Sequence, residues 1–173
     1  MSNIVSEKAL NFSVYSEGGE ILGIAEGTLP NIEMMTSEVK GAGISGVIDS
    51  PGMGQTNSIT MELTWRTRNA SWSKLLAPTA HILDMYSAEL DFDAGLGMYR
   101  TKKIHVFTKA VTKNYDFGKL AVSGSSETKT THEIYYLKFE IDDIEQLELD
   151  KYNFIYRVRG IDYMSEVRRA LGK

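Results

Sequence analysis

A chain of 173 residues, 42% apolar and 24% charged, is that of one globular domain, long enough to bury a core unaided. It has no cysteine, which excludes disulfides, thiolate metal sites and a cysteine nucleophile, and its formal charge of -4 argues against the basic stripe of a nucleic-acid clamp. The start, Met1 to Lys8, has neither the basic residues nor the apolar run of a secretion signal, and no apolar stretch approaches the roughly 18 residues of a membrane span. The expectation is a protein made in a cytoplasm, where the Asn-X-Ser patterns at Asn11 and Asn69 carry no meaning.

Strand patterns dominate along the chain. Leu10 to Tyr15 and Glu20 to Ala25 flank Ser16-Glu17-Gly18-Gly19, a glycine turn of the kind that closes a hairpin. Ile32 to Lys40 reads as a strand. A glycine-rich excursion follows from Gly41 to Asn57, through Gly41-Ala42-Gly43-Ile44-Ser45-Gly46 and Ser50-Pro51-Gly52-Met53-Gly54. Order resumes at Ser58 to Arg66, where Ile59, Met61, Leu63 and Trp65 alternate with Thr60, Glu62, Thr64 and Arg66, giving one buried and one wet face. Most hairpin loops run about two to five residues, so an inter-strand loop over 41–57 does more than connect. Contact with another subunit is the leading candidate. Gly41, Gly43, Gly46, Pro51, Gly52 and Gly54 punctuate it.

A short helix is predicted over Ala70 to Leu76, capped by Asn69 and ended near Pro78. Ile82 to Phe92 is a strand with Ile82, Tyr86, Ala88, Leu90 and Phe92 on one parity. Lys102 to Thr112 carries apolar residues on both parities, which calls for cover on both faces. Asp116-Phe117-Gly118 and Ser123-Gly124-Ser125-Ser126 read as turns or a mobile loop. Thr128 to Asp142 is a long strand with Tyr135, Leu137, Phe139 and Ile141 on one face, followed by a short strand at Leu147 to Leu149. Tyr152, Phe154, Tyr156 and Val158 then alternate with polar and apolar neighbours. A terminal helix over Tyr163 to Leu171, capped by Asp162 and closed by Gly172, presents Met164, Val167 and Leu171 on one side. The fold class is mainly β: an antiparallel all-β arrangement with one or two short α-helices, in a single domain over 1–173.

The chemical motifs fail on inspection. Gly41 to Gly46 fits G-x-G-x-x-G, but no helix starts there to receive a pyrophosphate and no βαβ unit surrounds it. Asp91-Phe92-Asp93-Ala94-Gly95 begins like a calcium loop, yet its glycine comes one residue early and Lys102 stands where a bidentate glutamate is needed. It reads as a turn. His81, His105 and His132 lie on separate segments; His105 and His132 can face one another across paired strands, but without a carboxylate orienter they read as wet-face residues. No serine elbow appears, and the carboxylate pair Asp142-Asp143 sits in an acidic turn with nothing apolar to separate its pKa values. The sequence therefore offers no catalytic residues, no cofactor and no metal site.

Charge is segregated. Tyr99 to Lys113 holds five basic residues and no acid, and Phe139 to Asp150 holds six acids and no base. Two readings stay open: solvated strand faces, or opposite blocks that meet across a subunit boundary and fix its register. A surplus of strand with glycine-rich extensions suits a subunit of something larger, because a ring of copies can pair the edges an open sheet leaves free.

Landmarks in order resemble the major tail tube protein of contractile phage tails and of phage-tail-like (R-type) bacteriocins. They are Asn11-Phe12; Gly27 with Leu29-Pro30; Gly41-Ala42-Gly43 with Gly46; and Ser58 to Leu63. Thr131 to Phe139 and Tyr152-Asn153 follow, and then Gly160-Ile161-Asp162 ahead of a basic terminal helix with Arg168-Arg169 and Leu171-Gly172. Leu76 to Gly124 matches poorly. The resemblance implies a non-enzymatic antiparallel β-sandwich or barrel subunit that closes a continuous β-barrel lumen in a hexameric ring. Rings would stack into a hollow tube, with an extended loop reaching the adjacent ring; the candidate for that reach is the loop over 41–57, with Gly41, Gly43, Gly46, Pro51, Gly52 and Gly54 as its ring-stacking residues. It implies sheath, baseplate and tape-measure proteins as partners, DNA only as transient cargo, and a place in a virion tail or bacteriocin particle. Candidate interface or lumen charges are Glu62, Lys102, Lys103, Lys109, Lys138, Glu140 and Asp142. Two polar parities can line the bore, Thr60-Glu62-Thr64 or Lys138-Glu140-Asp142. The other readings are a hexameric secretion-system tube protein of the haemolysin-coregulated type and a monomeric β-barrel that binds a small ligand.

Overall fold

A computed structural model describes residues 3–120, 122, 124 and 126–173. In chain order these form β1 (Ile4–Ser16), β2 (Ile24–Thr28), β3 (Met34–Val39), β4 (Ile48–Thr56), β5 (Thr60–Trp65), α1 (Ala70–Lys74), β6 (Ala80–Asp93), β7 (Met98–Asp116), β8 (Thr128–Ile141), β9 (Ile144–Asp150), β10 (Ile155–Val158), β11 (Ile161–Asp162) and α2 (Ser165–Ala170). The fold is mainly β and antiparallel with two short helices, as the strand patterns require. Ser123 and Ser125 of the second predicted turn lie outside the described residues.

One sheet runs β1-β6-β7-β8-β9-β10-β11, and β5 and β2 branch from it at β8. The branch point is local. Up to Ile134, whose N–H reaches Ile59 O (2.8 Å), the free edge of β8 pairs with β5; from Tyr135, whose carbonyl accepts from Lys151 N–H (2.9 Å), it pairs with β9. The sheet curls until β2 returns beside β1, where Leu22 N–H donates to Val14 O (2.7 Å). That return is brief: Ile24 N–H bends back to Leu22 O (2.9 Å) and takes the chain away to pair with β5. The predicted hairpin turn at Ser16 to Gly19 forms, with Gly18 and Gly19 both at positive φ, but only the Tyr15–Ile21 bridge and the Leu22 bond follow it.

The core lies inside this curl. Ile59, Met61, Leu63 and Trp65 of the β5 segment are sealed from solvent and pack with Val14, Leu83, Met85, Val106, Ile134 and Leu137. β6 departs from its predicted face: it buries Leu83 and Met85 and turns Ile82, Tyr86 and Leu90 away from the core. Much of that apolar parity lies beyond the core, where β1, β6 and β7 run on as a three-stranded extension. β8 buries Thr128, Thr130 and His132, a polar row that no hydrophobic pattern signals. Trp65 supplies one reason, since its indole N–H donates to Thr130 Oγ1 (3.0 Å) inside the core.

The helices are positioned by single residues. Asn69 Oδ1 accepts from Trp72 N–H (2.8 Å) and starts α1. Asp162 does not cap α2 in the predicted sense: its carboxylate accepts from Met164 N–H (3.0 Å) and clamps Arg168 (2.5 Å), whose other arm donates to Phe154 O. Met164 is buried beneath the helix while Leu171 stays exposed. Phe154 has φ of 53°, so the alternation predicted from Tyr152 onward starts only at Ile155.

Candidate functional site

The predicted loop over 41–57 is in good part a strand. β4 pairs antiparallel with β3 in a separate two-stranded sheet, with Val39 opposite Ile48, Ser37 opposite Ser50 and Thr36 opposite Pro51. Only 40–47 forms the tip, where Gly41, Gly43 and Gly46 take positive φ. Pro51 is tolerated because both edges of this ribbon are free of a third strand. The ribbon is rooted in the body. Asn57 N–H donates to Glu33 O (2.8 Å), and Gly54 (φ 68°) lies so close to the C-terminal region that a Cβ there would meet Met164 Cγ at 2.7 Å and Tyr156 Cβ at 2.9 Å. Gly54 is thus a docking point and not a hinge. Beyond it the ribbon stands as an arm with Val39, Val47 (62% exposed), Ile48 (53% exposed) and Met53 turned to solvent. Isolated two-stranded hairpins are marginally stable in water, and of the two acids that face each other here, Glu38 is paired with Lys40 (2.7 Å) while Asp49 has no ion pair among the described residues.

A second open feature is the edge of β1. The strand pairs with β6 along one side, and from Ile4 to Ser13 no strand among the described residues meets its other side. Ile4, Val5, Leu10 and Phe12 are exposed on it. Where β1 and β2 part, an apolar cleft of about 150 Å³ opens, lined by Phe12, Leu29, Leu63, Met85, Ile104 and Val106.

The sheet face turned away from the core gathers most of the predicted charges. Cross-strand register aligns Tyr86, His105 and Glu140, and beside them Asp84, Phe107, Lys138, Glu148 and Arg157. His105 is held by two carboxylates, Nδ1 to Glu140 Oε2 (2.7 Å) and Nε2 to Asp84 Oδ1 (2.5 Å), and stacks on Tyr86 at 4.4 Å between ring centroids. It therefore does have carboxylate orienters. His132 is on the opposite face, in the core, so the two imidazoles do not meet. Lys138 bonds Glu140 (2.6 Å), and this contact, with that of His105, holds the Glu140 carboxyl below the usual carboxylate range. Arg157 bonds Glu148 (2.5 Å), and burial together with Glu148 pushes the Tyr136 phenol up to about 12.

Glu62 pairs with Lys129 (2.8 Å) on this same face, so the two polar parities read from the sequence are continuous and not alternatives. Lys109 lies over the Tyr136 ring, 5.3 Å from its centroid. Lys103 pairs with Asp143 (2.5 Å), which joins the basic and acidic blocks within one subunit. Asp142 leaves the face altogether: it sits at φ 49° in the two-residue turn between β8 and β9, its carboxylate accepting from Lys103 N–H (2.8 Å). Lys102 lies on the core-side parity of the extension, between Glu89 and Asp91 (3.2 Å each).

A β-rich subunit with a detached arm and an open strand edge is the class of structure these elements define. A model of the phage tail tube protein FII family matches residues 6–172. The chain is also similar to the tail tube protein of Escherichia phage P2, with 25% identity over 171 residues, covering 92% of this chain and 94% of that protein. The chain belongs to the phage tail tube protein FII family and is a structural subunit of a contractile phage tail tube, a component of the virion tail.

Proposed function

We propose that this protein closes into hexameric rings that stack as the hollow inner tube of a contractile tail, without enzymatic activity. The observation that carries the reading is the row of four adjacent long strands, β1, β6, β7 and β8, of 13, 14, 19 and 14 residues. Their outermost edge, on β1, is unpaired over Ile4 to Ser13. In a ring each copy supplies these strands to one continuous lumen wall, which removes free edges that otherwise invite uncontrolled association. The polar face away from the core, with Glu62, Lys109, Lys138 and Glu140, fits the bore. Its ion pairs are satisfied within the sheet, so it offers passing DNA few free cations to stick to.

The arm, including Gly41, Gly43, Gly46, Pro51, Gly52 and Gly54, reaches a copy in the adjacent ring. Lys102, Lys103 and Asp142 hold the shape of the subunit. Sheath, baseplate and tape-measure proteins are the expected tail partners, and assembly takes place in the cytoplasm of the infected bacterium before contraction drives the tube through a target envelope. A small-ligand function finds little support, because the apolar cleft holds only about 150 Å³ and the larger hollows, of about 370 and 380 Å³, are shallow surface grooves along β1, β6 and the Ser16 to Gly19 turn. Negative-stain electron microscopy of concentrated protein, alone and seeded with tail baseplates, tests this reading. Rings or hollow tubes are expected; a monomer that stays dispersed under both conditions refutes it.

A further inference from the structure

The arm needs a receptor, and the subunit carries a surface that matches it. Between β1 and β2 the curled sheet is unzipped: beyond the Leu22 to Val14 bond, neither strand bonds the other. The gap has free strand edge on both sides, and the buried core side chains of Leu63 and Met85 line its floor. It has the form of a missing strand. A cleft of about 150 Å³ with this lining is the size that takes up a single benzene-sized apolar group.

We propose that the seam between β1 and β2 receives the β3–β4 arm of a second copy, with Ile48 or Val39 filling the cleft and an arm edge bonding to the free edge of β2. Three properties match. The arm has two unpaired edges and, among the described residues, β2 has one on the seam side, so main-chain bonding by strand addition is open to both. The exposed apolar pair Val39 and Ile48 meets an apolar cleft that lacks one side chain's volume. The charges are complementary: on the arm Glu38 is paired with Lys40 (2.7 Å) while Asp49 opposite it makes no ion pair, and Lys8 on β1 makes none either, among the described residues. A Lys8 ammonium brought against Asp49 gives that carboxylate the partner the free arm does not supply. Donor and acceptor surfaces differ, so the contact is heterologous and propagates from copy to copy without self-closing into a dimer.

The inference rests on the reading of the arm as an inter-subunit connector, and the test separates the two. The native chain has no cysteine, so single cysteines report one contact each. Disulfides form only where Cβ atoms come within about 4.5 Å, so a bond places the two positions in contact. Ile48→Cys and Leu29→Cys protein, mixed, assembled and oxidised, should give a covalent dimer, and the double variant a ladder of multimers on non-reducing gels. Ile48→Cys paired with Ile161→Cys, on the far edge, should give neither. Tubes that form but yield no 48–29 bond, or an equal yield from the 48–161 pair, overturn the seam as receptor while leaving the tube reading standing. Absence of tubes from the wild-type chain refutes both. As a second measure, Ile48→Asp should abolish polymerisation with circular dichroism unchanged. Tubes formed normally by that variant contradict the proposal.

Discussion

His132 has no solvent contact, and its ring nitrogens sit 3.0 Å from Thr112 Oγ1 and Thr130 Oγ1. Burial first, and His81 second, lower its pKa from 6.5 to about 4. The folded protein keeps the ring neutral where the unfolded chain protonates it, so His132 stability is fully present above pH 6.5 and is lost as pH falls towards 4. The loss across that window is about 3 kcal/mol. Urea denaturation at pH 7 and pH 5 should show it, and His132→Gln should flatten the difference between the two. Glu140, held down by Lys138 and His105, and Asp162, held down by Arg168, lose their contributions at lower pH, as each carboxylate protonates. A second test is steric. Gly54→Ala places a methyl group at positive φ against Met164 and Tyr156. It should destabilise the subunit by about 1–3 kcal/mol in denaturant titrations.

Individual elements divide into those the sequence made legible and those it did not. The β5 alternation is plain because Ile59 to Trp65 lies wholly inside the curl, where one parity meets only core. The face of β6 was misread: Tyr86 stacks on His105 on the outer side, and Leu90 and Phe92 belong to the extension beyond the core. Buried Thr130 and His132 satisfy each other together with Trp65 and Thr112, a network that exists only after the strands align, while Thr128 donates to Ser126 Oγ (3.1 Å). The arm was legible as an excursion but not as a ribbon, because Pro51, Gly52 and Gly54 suppress the strand signal of β4. Removing the tip alone, Gly41 to Gly46, with a two-residue turn in its place, should leave the thermal midpoint of the body unchanged and weaken ring stacking, as sedimentation and microscopy would show. A fall in the midpoint would place the tip in the fold and not at an interface.

Across the whole molecule, opposite charges that look separated in sequence are neighbours in register. Lys103 meets Asp143, and His105 and Lys138 meet Glu140, so the basic and acidic blocks first serve the subunit. Glu140→Lys should therefore lower the melting temperature of the unassembled protein, by roughly 3–6 °C if about 1–2 kcal/mol is lost. An unchanged melting temperature with assembly lost would assign Glu140 to an interface instead. What the monomer leaves unsatisfied is different in kind: an unpaired strand edge, a two-stranded arm and a cleft open to the core. The measurement that bears most directly on this is a helical cryo-electron microscopy reconstruction of the polymer. Rings of six copies with β1, β6, β7 and β8 forming the bore, and the arm crossing to the next ring, are the predicted result. A bore lined by other elements, or arms folded back on their own subunits, would contradict it.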